Sequence, residues 1–102
     1  MEIGVLTVTN KNSLDEALSG GYDMILAESN AGNTIGLGAS QQIHFNFNKA
    51  EQKISLRDAL EKLGWTPKPW GPKSFVLIGV PQEVAKEYLK QIYPGVKFTT
   101  VA

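Results

Sequence analysis

Gln42-Ile43-His44-Phe45-Asn46-Phe47-Asn48 alternates polar and apolar side chains along its whole length. Successive side chains of a strand point to opposite faces. This period of two therefore predicts a β-strand with Ile43, Phe45 and Phe47 in a core and Gln42, His44, Asn46 and Asn48 on the other face. That polar face is either wet or covered by a partner. A sheet lies at the centre of the fold, and the remaining segments follow from what pairs with this strand and what covers its apolar side.

Phe75-Val76-Leu77-Ile78-Gly79-Val80 is a continuous apolar run, long enough for a buried strand and too short for a buried helix. Ile3-Gly4-Val5-Leu6-Thr7-Val8-Thr9 is β-branched and apolar on both faces, which suits a central strand. Tyr22-Asp23-Met24-Ile25-Leu26-Ala27 and Val96-Lys97-Phe98-Thr99-Thr100-Val101 read as strands too. So does Thr34-Ile35-Gly36-Leu37-Gly38, joined to residues 22–27 through a turn-rich link as a hairpin. Ser13-Leu14-Asp15-Glu16 is a capping box opening a short helix that Gly20-Gly21 ends. A second helix opens at Ser55-Leu56-Arg57-Asp58, with Leu56, Ala59, Leu60 and Leu63 at helical spacing and Gly64 as its stop. Pro81 suits the first position of a third, whose stripe is Val84, Tyr88, Leu89 and Ile92.

The predicted order is βαβββαβαβ. It defines an α+β fold: a two-layer sandwich of a mixed, mainly antiparallel five- or six-stranded sheet with two to three helices packed on one face. The strands at 75–80 and 96–101 are expected to run parallel across the helix at 81–93. With 102 residues, such a chain buries roughly two-thirds of its unfolded surface, which suits a single domain over residues 1–102.

Composition narrows the function classes. There is no cysteine and one histidine, so no thiolate nucleophile, disulfide framework or Cys-based metal site is available, and no cofactor or metal is expected. Formal charge is zero, with ten basic and ten acidic residues, which argues against duplex nucleic acid and anionic membranes as partners. No apolar run reaches the ~18 residues of a membrane span and no signal-peptide pattern opens the chain, so a cytoplasmic location is the default expectation. Charge is nonetheless uneven: residues 1–48 carry five acids against Lys11, and residues 49–102 carry nine bases against five acids. A basic half can hold an anion while the whole stays neutral.

Two segments stand out. Residues 29–48 contain no Asp, Glu, Lys or Arg, whereas an exposed strand normally carries charge to prevent edge-to-edge pairing. Self-association as a homodimer or larger oligomer through Thr34, Ile35, Gly36, Leu37 and Gly38 is one expectation from this; strands lying inside the sheet are the other. The glycines there do not form a phosphate loop, since Gly36-Leu37-Gly38 lacks the third glycine and the following helix of a dinucleotide fingerprint.

The second segment is Lys62-Leu63-Gly64-Trp65-Thr66-Pro67-Lys68-Pro69-Trp70-Gly71-Pro72-Lys73, holding both tryptophans, three prolines and three lysines. Prolines lower the ordering cost of binding, indoles stack on flat rings, and lysines meet anions. The expected ligand is a small anionic aromatic molecule of nucleotide type. Trp65 and Trp70 would stack on it, Lys68 and Lys73 would meet its charge, and Asn33, Gln42, His44 and Asn46 would supply polar contacts. The structural counterpart has Trp65 packing at a helix C-cap and Trp70 closing the core.

Catalysis has little support. There is no G-x-S-x-G, and His44 is the only imidazole base; a small hydrolase or nuclease would have to centre on it, with Asp23 or Glu28 from a neighbouring strand. A solitary histidine among Gln and Asn reads instead as a solvated residue. The sequence therefore points to a non-enzymatic binding module that sequesters or senses a nucleotide-like ligand as a homo-oligomer. The alternative is a protein-interaction or inhibitor module anchored by the Trp65–Trp70 loop, of the kind met among phage-encoded accessory proteins.

Overall fold

The computed structural model describes residues 1–7, 16–29 and 42–101. The strands are β1 (Glu2–Thr7), β2 (Met24–Ser29), β3 (Gln42–Phe47), β4 (Lys68–Gly71), β5 (Ser74–Ile78) and β6 (Lys97–Thr100). Helix α1 is seen at residues 16–18, and α2 (Ala50–Lys62) and α3 (Gln82–Ile92) follow. The six strands form one mixed sheet in the order β4-β5-β3-β2-β1-β6. β1 pairs in parallel with β2 and β6; the β2–β3, β3–β5 and β5–β4 pairs are antiparallel. The fold is the expected α+β sandwich.

Strand alternation decides the two faces. Ile3, Met24, Leu26, Ile43, Phe45, Phe47, Phe75 and Leu77 form the main core with Leu56 and Leu60 of α2 and Ala85 and Leu89 of α3. Phe75 stacks on Phe45 at 4.7 Å between ring centroids and tilts against Phe47 at 5.6 Å. Leu6, Ile25 and Ala27 face the other way and are covered by Ala17, Leu18, Tyr22, Trp70 and Val101. The two long helices thus share one face, and residues of α1 pack on the other.

Several expectations change. α2 starts at Ala50, not at Ser55: Ala50-Glu51-Gln52-Lys53 are good helix formers, and no side-chain hydrogen bond caps the helix at Lys49. Lys68–Gly71, expected to be loop, is a strand. Prolines argue against a central strand, but Pro69 sits on an edge, where its missing N–H leaves no ladder bond unmade. β5 and β6 run in the same direction, yet β3, β2 and β1 lie between them, so α3 crosses the sheet instead of joining neighbours. The strand expected at 34–38, the capping side chain of Ser13 and residues 8–9 of the first strand lie outside the described residues.

The polar face of β3 departs furthest from expectation. β3 is internal, hydrogen-bonded to β2 on one side and β5 on the other. All six of its residues are buried within the single chain, and Gln42 and His44 have no exposed surface at all. Neither solvent nor a partner subunit is needed to cover them. His44 is a buried residue and not a solvated one.

Candidate functional site

The Pro/Trp/Lys segment begins where α2 ends. Gly64 takes a positive φ of 90°, its N–H donates to the Glu61 carbonyl at 3.0 Å, and the Trp65 N–H donates to the Leu60 carbonyl at 3.1 Å. These two bonds satisfy carbonyls that a helix C-terminus otherwise leaves open, in the geometry that glycine permits and other residues resist. They also turn Trp65 back onto the main core, edge-on to Tyr88 with centroids 5.2 Å apart. Trp65 therefore has a fixed position.

From Trp65 the chain passes through Thr66 and Pro67 into β4 and runs beside the end of β5. Between them opens a cleft of about 680 Å³, lined by residues 64–69 and by Leu77, Ile78, Gly79 and Val80. This volume falls within the roughly 300–1,000 Å³ of small-ligand sites. Lys68 is its one charged lining residue, and no acid lines it. α3 begins two residues beyond Val80, and Glu83 in its first turn offsets the positive end of its dipole. The cleft combines an indole, aliphatic walls and positive charge.

Trp70 is not part of it. Side chains of the second face run along β3 and β5, and Trp70 packs there with Leu6, Ile25 and Ala27. The two tryptophans, five positions apart in sequence, lie on opposite faces of the sheet and do not clamp one ring. Trp70 instead covers His44, edge-on at 5.5 Å.

The His44 Nε2–H donates to Gln42 Oε1 at 3.1 Å. Because that oxygen only accepts, the bond selects the Nε2–H tautomer and leaves Nδ1 as a buried acceptor without a partner among the described residues. Burial lowers the His44 pKa from 6.5 to about 4, so the ring is neutral near pH 7. Asp23 accepts the Glu2 backbone N–H at 2.9 Å, and Glu28 is paired in register with Ile43 and so projects to the opposite face. Glu28 therefore does not share the face of the His44 ring, which is buried and neutral.

Gln42 and Asn46 flank His44 on the same face. The side-chain nitrogens of both are buried without partners among the described residues; a buried unpaired donor costs about 1–3 kcal/mol. Asn46 and Lys73 line a second, smaller cavity of about 360 Å³, together with Leu18, Phe47, Gly71, Pro72 and Ser74. The predicted ligand residues thus separate into three places: Trp65 and Lys68 at the first cleft, Asn46 and Lys73 at the second cavity, and Gln42, His44 and Trp70 within the packed second face. Asn33 and residues 34–38 lie outside the described residues.

Sequence reasoning missed Ile78, Gly79 and Val80 as cleft residues. The signal was present in Gly79, a glycine at the end of an apolar strand run. Comparison with protein-family models, with curated proteins and with solved structures found no match to this chain. Among the described residues no helix is long and apolar enough to cross a membrane, and no three His, Cys, Asp or Glu side chains cluster to hold a metal ion.

Proposed function

We propose that this protein is a binding module, not an enzyme, and that its recognition site is the cleft between residues 64–69 and 77–80. Its ligand is a small planar molecule bearing negative charge, of nucleoside monophosphate type. One observation carries the reading: the helix-ending turn at Gly64 fixes Trp65 beside Lys68 in a cleft of small-ligand size with no opposing acid. The indole supplies a stacking surface, Leu77 and Val80 supply apolar contact, and the Lys68 ammonium meets the phosphate. Pro67 and Pro69 hold the wall before the ligand arrives, which lowers the ordering cost of binding.

Calorimetric titration with AMP, GMP, CMP, UMP and inorganic phosphate at low and high salt tests this. At least one nucleotide is expected to bind below millimolar concentration, more weakly at high salt, and phosphate alone much less. Absence of heat for every nucleotide at millimolar concentration would overturn the proposal.

A protein-interaction reading is favoured by one feature, the exposure of Ile78 (43 %) at the cleft. In that version Ile78 and Trp65 receive an apolar side chain of a partner, and Trp70, held on the second face against His44, is not the anchor. Self-association through residues 34–38 forms no part of the proposal.

A further inference from the structure

The cavity that Asn46 and Lys73 line is separate from the cleft. It sits at the turn of the β4–β5 hairpin, whereas the cleft sits where that hairpin opens, and no lining residue is common to both. β5 runs from Ser74 at one to Ile78 at the other, roughly 13 Å at the usual rise of a strand. We propose that this cavity is a second ligand site, and that it takes the carboxylate of a small organic acid.

Its chemistry is that of a donor set. Asn46 is 7 % exposed and its Nδ2, a donor, has no partner among the described residues. Ser74, 5 % exposed, is its register partner on β5 and adds a hydroxyl. Lys73 at the rim is the one charged residue lining the cavity, so the site selects an anion and disfavours a cation. Leu18 and Pro72 give apolar surface for the body of the acid.

The position of the donors is fixed from two sides. The Phe47 N–H donates to the Lys73 carbonyl at 2.8 Å, which ties the hairpin turn to the end of β3. From α2, the Lys53 ammonium donates to the carbonyls of Gly71 at 2.8 Å and Pro72 at 3.4 Å. Gly71 keeps room for the hydroxyl: a Cβ there would lie 2.9 Å from Ser74 Oγ. The site needs no loop closure to form, and such pre-organisation favours small ligands.

The test is a ¹H–¹⁵N NMR titration of the intact protein with sodium benzoate, and in parallel with benzamide, its uncharged counterpart. Benzoate is expected to move the Asn46 side-chain amide pair and the backbone amides of Lys73 and Ser74, with benzamide moving them much less. Lys73→Gln, an exposed change that leaves packing intact, is expected to weaken benzoate about fivefold or more, and Ser74→Ala to weaken it further. Unmoved Asn46, Lys73 and Ser74 signals at millimolar benzoate would overturn the proposal. So would an equal response to benzamide, or an unchanged affinity in Lys73→Gln.

Discussion

The Trp70 indole stands edge-on to the His44 imidazole, with ring centroids 5.5 Å apart and planes at 79°. Trp70 belongs to the edge strand β4 and His44 to β3 at the middle of the sheet, with β5 between them. The contact thus sets an edge-strand side chain against a central titratable group whose pKa burial lowers.

Stability is expected to fall as pH drops from 6.5 toward 4. The unfolded chain protonates His44 near 6.5, while the folded protein resists until about 4. Between those values the unfolded state binds more protons, so the contribution is full above 6.5 and lost on acidification, about 3 kcal/mol across the window. Urea midpoints measured through this range for wild type and His44→Gln give the difference. Parallel pH profiles would assign the effect to carboxylates instead.

Trp70→Ala removes the cover. The His44 pKa is then expected to rise toward 6.5, and stability to fall by about 3 kcal/mol from lost packing. The ring Cε1–H resonance, followed by NMR against pH, reads the first effect, and denaturant unfolding reads the second. A His44 titration unchanged by the substitution would mean that Trp70 does not shield it.

Lys53→Met is expected to loosen the hairpin without disturbing the core. Its ammonium holds two turn carbonyls from a partly buried position, a contribution of about 1 kcal/mol. Amides of β4 and the turn should exchange faster with deuterium while those of β1 and β2 keep their protection. Uniform acceleration would point to global destabilisation.

Gly4→Ala probes the packing of β1 on the second face. A Cβ there lies 2.6 Å from Ile25 Cδ1 and 2.9 Å from Val101 Cγ2, and Ile25 is fully buried. Overpacking of this kind costs about 1–3 kcal/mol. A thermal midpoint equal to that of wild type would show that Ile25 and Val101 move aside freely.

Particular residues show how far the sequence could be read. Phe45 and Phe47 announced β3 through their alternation, and residues 75–78 announced β5 through an unbroken apolar run, because burial on one or both faces writes itself into spacing. His44 could not be read that way. The polar half of an alternating strand looks the same whether water or a tryptophan covers it, and here the cover comes from an edge strand that the prolines had hidden. Trp65 was legible through Leu63-Gly64-Trp65, a local helix-ending pattern. Its separation from Trp70 was not, since a short chain passing around the edge of a sheet can leave its residues on either face. The partners of Lys68 across the cleft, residues 77–80, come from another strand, and only tertiary pairing brings them near.

The central claim, that Trp65 and Lys68 form a ligand cleft from which Trp70 is excluded, is tested most directly by ¹⁹F NMR of protein labelled with 5-fluorotryptophan. The two resonances are assigned with Trp70→Phe and followed during titration with AMP. The Trp65 signal is expected to shift with saturation while the Trp70 signal stays in place, and Lys68→Gln is expected to weaken the response. A static Trp65 signal at millimolar AMP, or a shift of Trp70 alone, would contradict that claim.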